Sequence, residues 1–390
     1  PVFKDSVRID TSTVIRAFCE GDTLSMRSNI TTATYILNQT HDLPIVSVSI
    51  NKDELFNPTT GIYMPGPGGG GEYPHKGANY WKKLTKKAHV EFYDTDATKS
   101  FSHDCGFAIF GGFSRTLAKK SFKLKFKDEY GPDRLDYDVF NEGKARKFKN
   151  LVLRSGSQDM SGVMVRDEFF TSLVKENSPN LLVQAYRPVA LYVNAQYFGL
   201  YYIREKIDKH FASHYLKVPN DSINIIMSLI YNEEGPKTHF QSLINYLKTH
   251  DLTQKESFEY IKNLVDFNGL IDEKLGQIYS GNTDVGNIRY IRSTDQKSDK
   301  KWHFVFYDVD LSWTTNKPAG FYLRAGAEGA VSMHNIIIDK LLANNEFRQL
   351  FLERLSMHLH KTFSEKNATK VFDNLINKIK RRRNIKRRKI

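Results

Sequence analysis

The chain has 390 residues, 40% of them apolar and 13% aromatic, with 26 Phe and 20 Tyr; this is core material for one large two-lobed domain or two to three smaller ones, and it excludes a largely disordered protein. Of the net charge of +13, nine positives (Lys378, Lys380, Arg381, Arg382, Arg383, Lys386, Arg387, Arg388 and Lys389) form an acid-free terminal run, so the body carries only +4, which argues against a nucleic-acid partner and makes 376–390 a solvated basic tail. Two cysteines, Cys19 and Cys105, exclude a disulfide framework and a cysteine zinc site, and the lack of any run of about eighteen apolar residues excludes a helical membrane span.

The chain begins at Pro1 without a charged and apolar leader, as expected of a processed or trimmed piece, so the missing leader does not argue against secretion. Ser12–Phe18 and Thr31–Leu37 are β-prone runs separated by Gly21-Asp22 and predict a hairpin. The runs Thr13-Val14-Ile15-Arg16-Ala17 and Thr32-Ala33-Thr34-Tyr35-Ile36-Leu37 make this pair similar to the last two strands of the immunoglobulin-like module that closes chitobiase-type proteins. Residues 1–40 are therefore expected to be the end of such a module, either packed on the next domain or partly ordered. His41–Ile50 reads as a strand, and Leu55-Phe56 with Gly61-Ile62-Tyr63 as a short packed turn. Gly66 and Gly68–Gly71, broken by Pro65 and Pro67, read as a flexible loop; no Lys-Ser/Thr pair and no helix come after it, so it is not a Walker loop.

Ala88–Tyr93 and Cys105–Gly112 predict two strands, Phe113–Ala118 a turn, and Lys119–Phe126 a third strand in which apolar residues alternate with Lys123 and Lys125. Strand, glycine turn and lysine-bearing strand fit the roof of a nucleotide pocket, or equally an exposed lysine face on an edge strand. Met164–Val174 has helical periodicity. Ala185–Val193 and Tyr197–Ile203 flank the turn Asn194-Ala195-Gln196 as a hairpin leading to Glu205. Three strands, a helix and two strands is the order of a protein-kinase N-lobe. Helical patterns come next at Phe240–Leu247, Ser257–Val265, Met333–Leu342 and Glu346–His358, so a strand-rich first half precedes a helical second half.

Between the helical stretches lie Gly281–Tyr290, a turn-rich loop with Asp284 and Asn287, and Trp302–Asp310, a buried strand expected to deliver Asp308 and Asp310 to its end. Two carboxylates and an amide of this kind make a hard-oxygen site for Mg²⁺ and phosphate, the set that phosphoryl transfer needs. The plain alternatives are an Asx-type turn for Asp284 and Asn287, and a strand-end cap or lysine salt bridges for Asp308 and Asp310. The histidines have no zinc spacing, and Ser155-Gly156-Ser157 lacks the first glycine of a nucleophile elbow.

Five ordered groups carry a wider resemblance: Gly111-Gly112-Phe113-Ser114-Arg115 with Lys119-Lys120-Ser121-Phe122; Leu151–Arg154 with Val165-Arg166-Asp167; Leu191–Tyr201 with Glu205; Asn282-Thr283-Asp284 with Asn287; and Trp302 with Tyr307-Asp308-Val309-Asp310. In this order, over about 41–360, the chain resembles the spore-coat CotH kinase family of atypical kinase-like proteins. The resemblance implies an α+β, two-lobed kinase-like fold over 41–375, with a strand-rich N-lobe and a helical C-lobe. It implies ATP-dependent, Mg²⁺- or Mn²⁺-assisted phosphorylation of Ser/Thr hydroxyls on secreted or surface proteins, such as a Ser-rich surface protein, at a cell surface or spore coat. By the same resemblance Asp284 is the catalytic Asp, while Asn287, Asp308 and Asp310 hold metal. Lys120 and Arg115 face phosphate beside Gly111 and Gly112, and Arg166 and Glu205 hold the lysine and the lobe. Which of Lys119, Lys120, Lys123 and Lys125 faces phosphate is not fixed by strand pattern alone.

The chain departs from ordinary kinases in three ways: no His-Arg precedes Asp284, no Gly-x-Gly-x-x-Gly is present, and no Gly follows Asp308-Val309. Only Val285-Gly286 separate Asp284 from Asn287, where four residues are usual in ordinary kinases and in the spore-coat members. Either the tight turn still brings the amide to metal, or the site does not transfer phosphate. Two other functions therefore stand beside the kinase: a non-catalytic surface adhesin on a kinase-like scaffold, and ATP-dependent transfer of AMP or an amino acid.

Overall fold

Alternating apolar residues in the first half of the chain build strands, and helical stripes dominate the second, in a computed structural model that describes residues 6–380 except 22–26, 40–41, 97, 144–145, 229–230 and 326–334. The basic run 381–390, Asp22 of the first turn, His41, and Met333 and His334 of an expected helix lie outside the described residues. The chain is α+β and its contacts divide it into two units: residues up to Ser157 with Tyr186–Glu205 and 377–380, and Gln158–Ala185 with Lys206–Ile376.

In the first unit, β1 (Thr13–Ala17) and β2 (Thr31–Tyr35) form the expected antiparallel hairpin, with Thr13 opposite Tyr35. It is packed on the next strands through buried polar groups. The Thr34 hydroxyl meets Ser47 Oγ at 2.8 Å and donates to the buried Glu91 carboxylate at 2.5 Å, which also accepts from Tyr93 at 3.0 Å. β3 (Ile45–Ile50) is succeeded by the short α1 (Lys52–Phe56), β4 (Lys86–Tyr93), β5 (Lys99–Phe110), β6 (Ser121–Lys125), a small pair β7 (Leu135–Tyr137) and β8 (Arg146–Phe148), β9 (Asn150–Arg154), β10 (Tyr186–Val193) and β11 (Gln196–Glu205). Seven of these close a barrel in the order β10-β11-β9-β6-β5-β4-β3. The closing seam is the parallel pair β3 and β10, with Ile45 opposite Ala190. Period-2 alternation sends Val48, Val90, Phe92, Phe107, Phe122, Leu124 and Leu153 into the core, where Phe107 stacks on Phe122 at 4.6 Å. On the outer face His89 bridges Asp104 at 2.7 Å and Ser102 at 2.8 Å. Asn194 and Ala195, at φ 51° and 62°, make the tight turn between β10 and β11.

The glycine run differs from the expected flexible loop. Pro67–Gly70 form a 3₁₀ turn, and a Cβ on Gly68 would stand 2.3 Å from the Gly77 carbonyl oxygen, so close backbone packing is what requires glycine there. The kinase-like strand order also needs correction in detail: β3 and β9 complete a closed barrel, and the helix of residues 166–175 belongs to the second unit.

The second unit holds α2 (Arg166–Lys175), α3 (Lys209–Leu216), β12 (Ile223–Met227), β13 (Tyr231–Glu234), α4 (Thr238–Thr249), α5 (Lys255–Lys262), α6 (Phe267–Ser280), β14 (Arg289–Ser293), β15 (His303–Val305), α7 (Ala319–Leu323), α8 (Ile336–Leu341), α9 (Asn345–Met357) and α10 (Glu365–Lys380) up to Ile376. Its four-stranded antiparallel sheet runs β13-β12-β14-β15. α4 buries Phe240, Leu243 and Leu247, and Phe240 packs edge-on against the fully buried Trp302 at 4.9 Å. α6 is unusual: its buried face includes Asp272, Glu273, Lys274 and Gln277. It stops at Gly281, whose left-handed φ of 58° is the helix-ending conformation glycine adopts without strain.

His303 opens β15 between Asp299 (3.0 Å) and Asp266 (3.4 Å). Burial alone would lower its pKa, but hydrogen bonds and charge from the two carboxylates outweigh burial and hold it up at about 9. Because the folded value lies above the unfolded value of about 6.5, the stabilisation is complete below that pH and is lost as pH rises through 9. Thermal unfolding between pH 6.5 and 9.5 is expected to show a loss on the order of 1–2 kcal/mol, discounted for the half-exposed Asp299, that His303→Gln removes. An unchanged slope in the variant would refute the assignment.

Candidate functional site

In the second unit the loop after α6 is built around one amide. Asn282 is fully buried, and its Oδ1 accepts the Asp284 backbone N–H at 3.2 Å. Val285–Asn287 then make one 3₁₀ turn, and the turn carries the Asn287 side chain back over Asp284. Asn287 Nδ2 donates to Asp284 Oδ2 at 2.9 Å and to Asp308 Oδ2 at 3.0 Å. The two-residue spacing between Asp284 and Asn287 thus brings the amide to both carboxylates.

Burial pushes the Asp284 carboxyl up, the Asp308 charge pushes it further, and the Asn287 hydrogen bond partly opposes both. A pair of carboxylates gathered in a partly desolvated place is an arrangement that a cation relieves. The Asn287 backbone is fixed from behind: the Tyr307 hydroxyl donates to the Asn287 carbonyl, and Arg289 lies over the Tyr307 ring at 4.7 Å while gripping Glu233 through Nε and Nη2 at 2.6 and 2.9 Å.

The strand expected over 302–310 is shorter than its apolar run. β15 ends at Val305, because Asp308 takes a left-handed φ of 59°, which an Asp tolerates and a strand does not. The turn is held by a residue to which the sequence assigned no role: buried Asp167, in the first turn of α2, accepts the Val309 N–H at 3.0 Å. It sits in the Val165-Arg166-Asp167 group, where the arginine was the expected functional residue. Arg166 itself ties to Asp159, by its backbone N–H at 3.0 Å and by Nη1 at 2.5 Å. Asp310 is buried and accepts the Gln158 N–H at 3.2 Å.

A divalent ion fits the chemistry of Asp284, Asn287 and Asp308. The two carboxylates and the Asn287 amide oxygen would hold it, and such hard-oxygen ions complete their shell with water and phosphate. No group of three or more Asp, Glu, His or Cys suited to a metal occurs among the described residues.

In the first unit, Gly111 has φ 112° and a Cβ there would strike Ser114 Oγ at 2.3 Å, whereas Gly112 faces open space. Arg115 donates to the Gly111 carbonyl at 2.5 Å and to the Tyr80 carbonyl at 2.8 Å, so one donor binds the turn itself and another ties it to the segment Asn79–Trp81. Among the four candidate lysines, Lys119, Lys120, Lys123 and Lys125, Lys120 is the buried one. Its Nζ donates to the carbonyls of Arg115 (2.7 Å) and Leu117 (2.8 Å) and lies over the rings of Tyr80 (4.2 Å) and Tyr63 (5.1 Å). Burial lowers its pKa to about 8. Lys120 has no carboxylate partner among the described residues; Glu205, expected to hold the lysine, pairs with Arg146 at 2.8 Å. Lys119, Lys123 and Lys125 are half-buried, and Lys119 donates to the Leu200 carbonyl at 2.6 Å.

A family model described as CotH kinase protein matches residues 107–388. The chain belongs to the CotH kinase family. The CotH match begins inside β5 and takes in every candidate residue from Gly111 to Asp310. No curated protein matches the chain. As a CotH protein it is kinase-like, of a family tied to the spore coat, and no described helix is long and apolar enough to cross a membrane.

Proposed function

We infer that this CotH protein is a two-lobed, metal-dependent ATP:protein phosphotransferase acting on Ser/Thr hydroxyls of secreted or surface proteins. The observation that carries the reading is the Asn287 amide bonded at once to Asp284 and Asp308. In this reading Asp308 and Asn287 hold Mg²⁺ or Mn²⁺, which would supply charge stabilisation to the phosphoryl group. Asp284 orients the acceptor hydroxyl, and its raised pKa suits a group that takes up a proton. Lys120 and Arg115 neutralise phosphate, with Gly111 and Gly112 giving the turn its close backbone approach. Asp310 and Arg166 hold the local backbone, and Glu205 orders Arg146.

The reading predicts that wild-type protein with labelled ATP and Mg²⁺ or Mn²⁺ labels itself or a Ser-rich protein, and that Lys120→Ala removes nucleotide binding. Because the cationic form binds phosphate and the lysine titrates at about 8, nucleotide affinity should fall as pH rises above 8. Titration calorimetry at pH 7 and 9 measures this; equal affinities would remove Lys120 from the site.

One observation favours a second reading, a non-catalytic surface adhesin or binding module. The Lys120 ammonium already donates to two backbone carbonyls and serves the turn without a ligand. No label transfer and no stabilisation by nucleotide and metal would select it. Mass spectrometry of the labelled acceptor separates phosphate from AMP or an amino acid.

A further inference from the structure

A line of buried hydrogen bonds runs along α6 to the candidate metal site. Glu273 and Lys274 are an ion pair at 3.3 Å, both almost wholly buried. Gln277, one turn on, donates Nε2 to Glu273 Oε1 at 3.1 Å. Its Oε1 accepts from Asn282 Nδ2 at 3.0 Å, and Asn282 Oδ1 accepts the Asp284 N–H at 3.2 Å. From Asp284 the line continues through Asn287 to Asp308.

The direction of these bonds is not free. A carboxylate only accepts, so Gln277 must turn its NH₂ to Glu273 and its oxygen outward. That oxygen requires the Asn282 NH₂, which leaves the Asn282 oxygen for the Asp284 backbone. One charge at Glu273 therefore settles the Gln277 orientation, and the Asp284 backbone settles that of Asn282 from the other end, its N–H meeting Asn282 Oδ1 at 3.2 Å and its carbonyl accepting from Asn282 Nδ2 at 3.3 Å. We propose that Glu273, Gln277 and Asn282 are positioning residues that fix the backbone of Asp284 by imposing a single polarity on this line, a role resting on the metal-site reading above.

The proposal makes an unusual compensation testable. Asn282→Asp alone sets a carboxylate oxygen against the Gln277 oxygen and breaks the line. Adding Glu273→Gln lets the two side-chain bonds reverse: Gln at 273 donates to Gln277, Gln277 donates to Asp at 282, and that carboxylate still accepts the Asp284 N–H, although the Asn282 Nδ2 bond to the Asp284 carbonyl is lost in both Asp variants and Lys274 loses its carboxylate partner. The pair of changes conserves net charge. Mn²⁺ affinity by titration calorimetry and melting temperature are measured on wild type, N282D, E273Q and the double variant. The expected result is Mn²⁺ binding weakened at least about tenfold and a lowered melting temperature in N282D; E273Q also lowers the melting temperature by leaving Lys274 without its carboxylate, and in the double variant Mn²⁺ binding recovers toward wild type while the loss in melting temperature is smaller than the sum of the two single losses. Electrostatics alone gives the opposite sign, because an added carboxylate near the site should tighten Mn²⁺ binding. If N282D does not fold, folding of the double variant is the same rescue. Equal or tighter Mn²⁺ binding in N282D, or additive changes in melting temperature, overturns the proposal. Wild type that binds no Mn²⁺ overturns the metal reading instead, and the melting temperatures of the four proteins then decide the line by themselves.

Discussion

Asp308→Asn is expected to reduce Mg²⁺- or Mn²⁺-dependent phosphoryl transfer by at least about 100-fold, more than loss of an outer partner of a metal ligand costs, without lowering the melting temperature. The substitution isolates charge from shape. Asn accepts the left-handed φ of 59° as readily as Asp, so the turn after β15 persists. Its carbonyl oxygen can still accept from Asn287 Nδ2, now bound at 3.0 Å to Asp308 Oδ2. What disappears is one negative charge. Asp284 is raised by burial and by that same charge, so its carboxyl should drop back toward the ordinary range in the variant. Labelled-phosphate transfer and Mn²⁺ titration of the unlabelled protein test this together. Transfer that survives the change would take Asp308 out of the metal role, whereas lost transfer with unchanged Mn²⁺ binding would move its role from binding to chemistry.

Six of the seven barrel strands were legible because apolar and polar residues alternate along them, as in Ala88–Tyr93 and in the Lys123 and Lys125 stretch, whereas β9 (Asn150–Arg154) was not read as a strand. Barrel closure was not legible, since the seam pairs Ile45 with Ala190 and nothing local to either strand announces a partner so distant in sequence. α6 was not read as a helix although Phe267, Leu270, Ile271, Leu275 and Ile278 recur at helical spacing. Asp272, Glu273, Lys274 and Gln277, which also turn inward, together with Gly269 and Gly276, interrupt that stripe and mask it. For the site, chemistry was easier to read than geometry. Asp284, Asn287 and Asp308 stood out as hard-oxygen groups, but the left-handed turn at Asp308 hid inside an apolar run that looks like a continuous strand. Asp167 and Asn282 went unassigned because each holds a backbone N–H, that of Val309 and that of Asp284, and backbone groups leave no mark in a side-chain pattern.

The missed helix is also where the largest stability effect is expected: Asp272→Ala should cost about 3–5 kcal/mol and lower the melting temperature on the order of 10 °C. Asp272 is completely buried and takes both ends of the Arg354 fork, each at 2.6 Å, together with His358 at 2.9 Å. His358 is also completely buried and meets Thr362 at 2.9 Å, so the carboxylate joins α6 to the end of α9 and to the turn beyond it. Removing it leaves a guanidinium and an imidazole without their acceptor, and that uncompensated charge, more than the loss of the contacts, sets the size of the effect. The same reasoning fixes a control. Replacing all three partners together with apolar groups, Asp272→Leu, Arg354→Met and His358→Phe, removes the orphaned charge as well as the pair, so the triple variant should be more stable than Asp272→Ala alone. Differential scanning calorimetry of the single and triple variants decides the matter. A triple variant no more stable than the single one would mean that the contacts themselves, and not the buried charge, hold α6 in place.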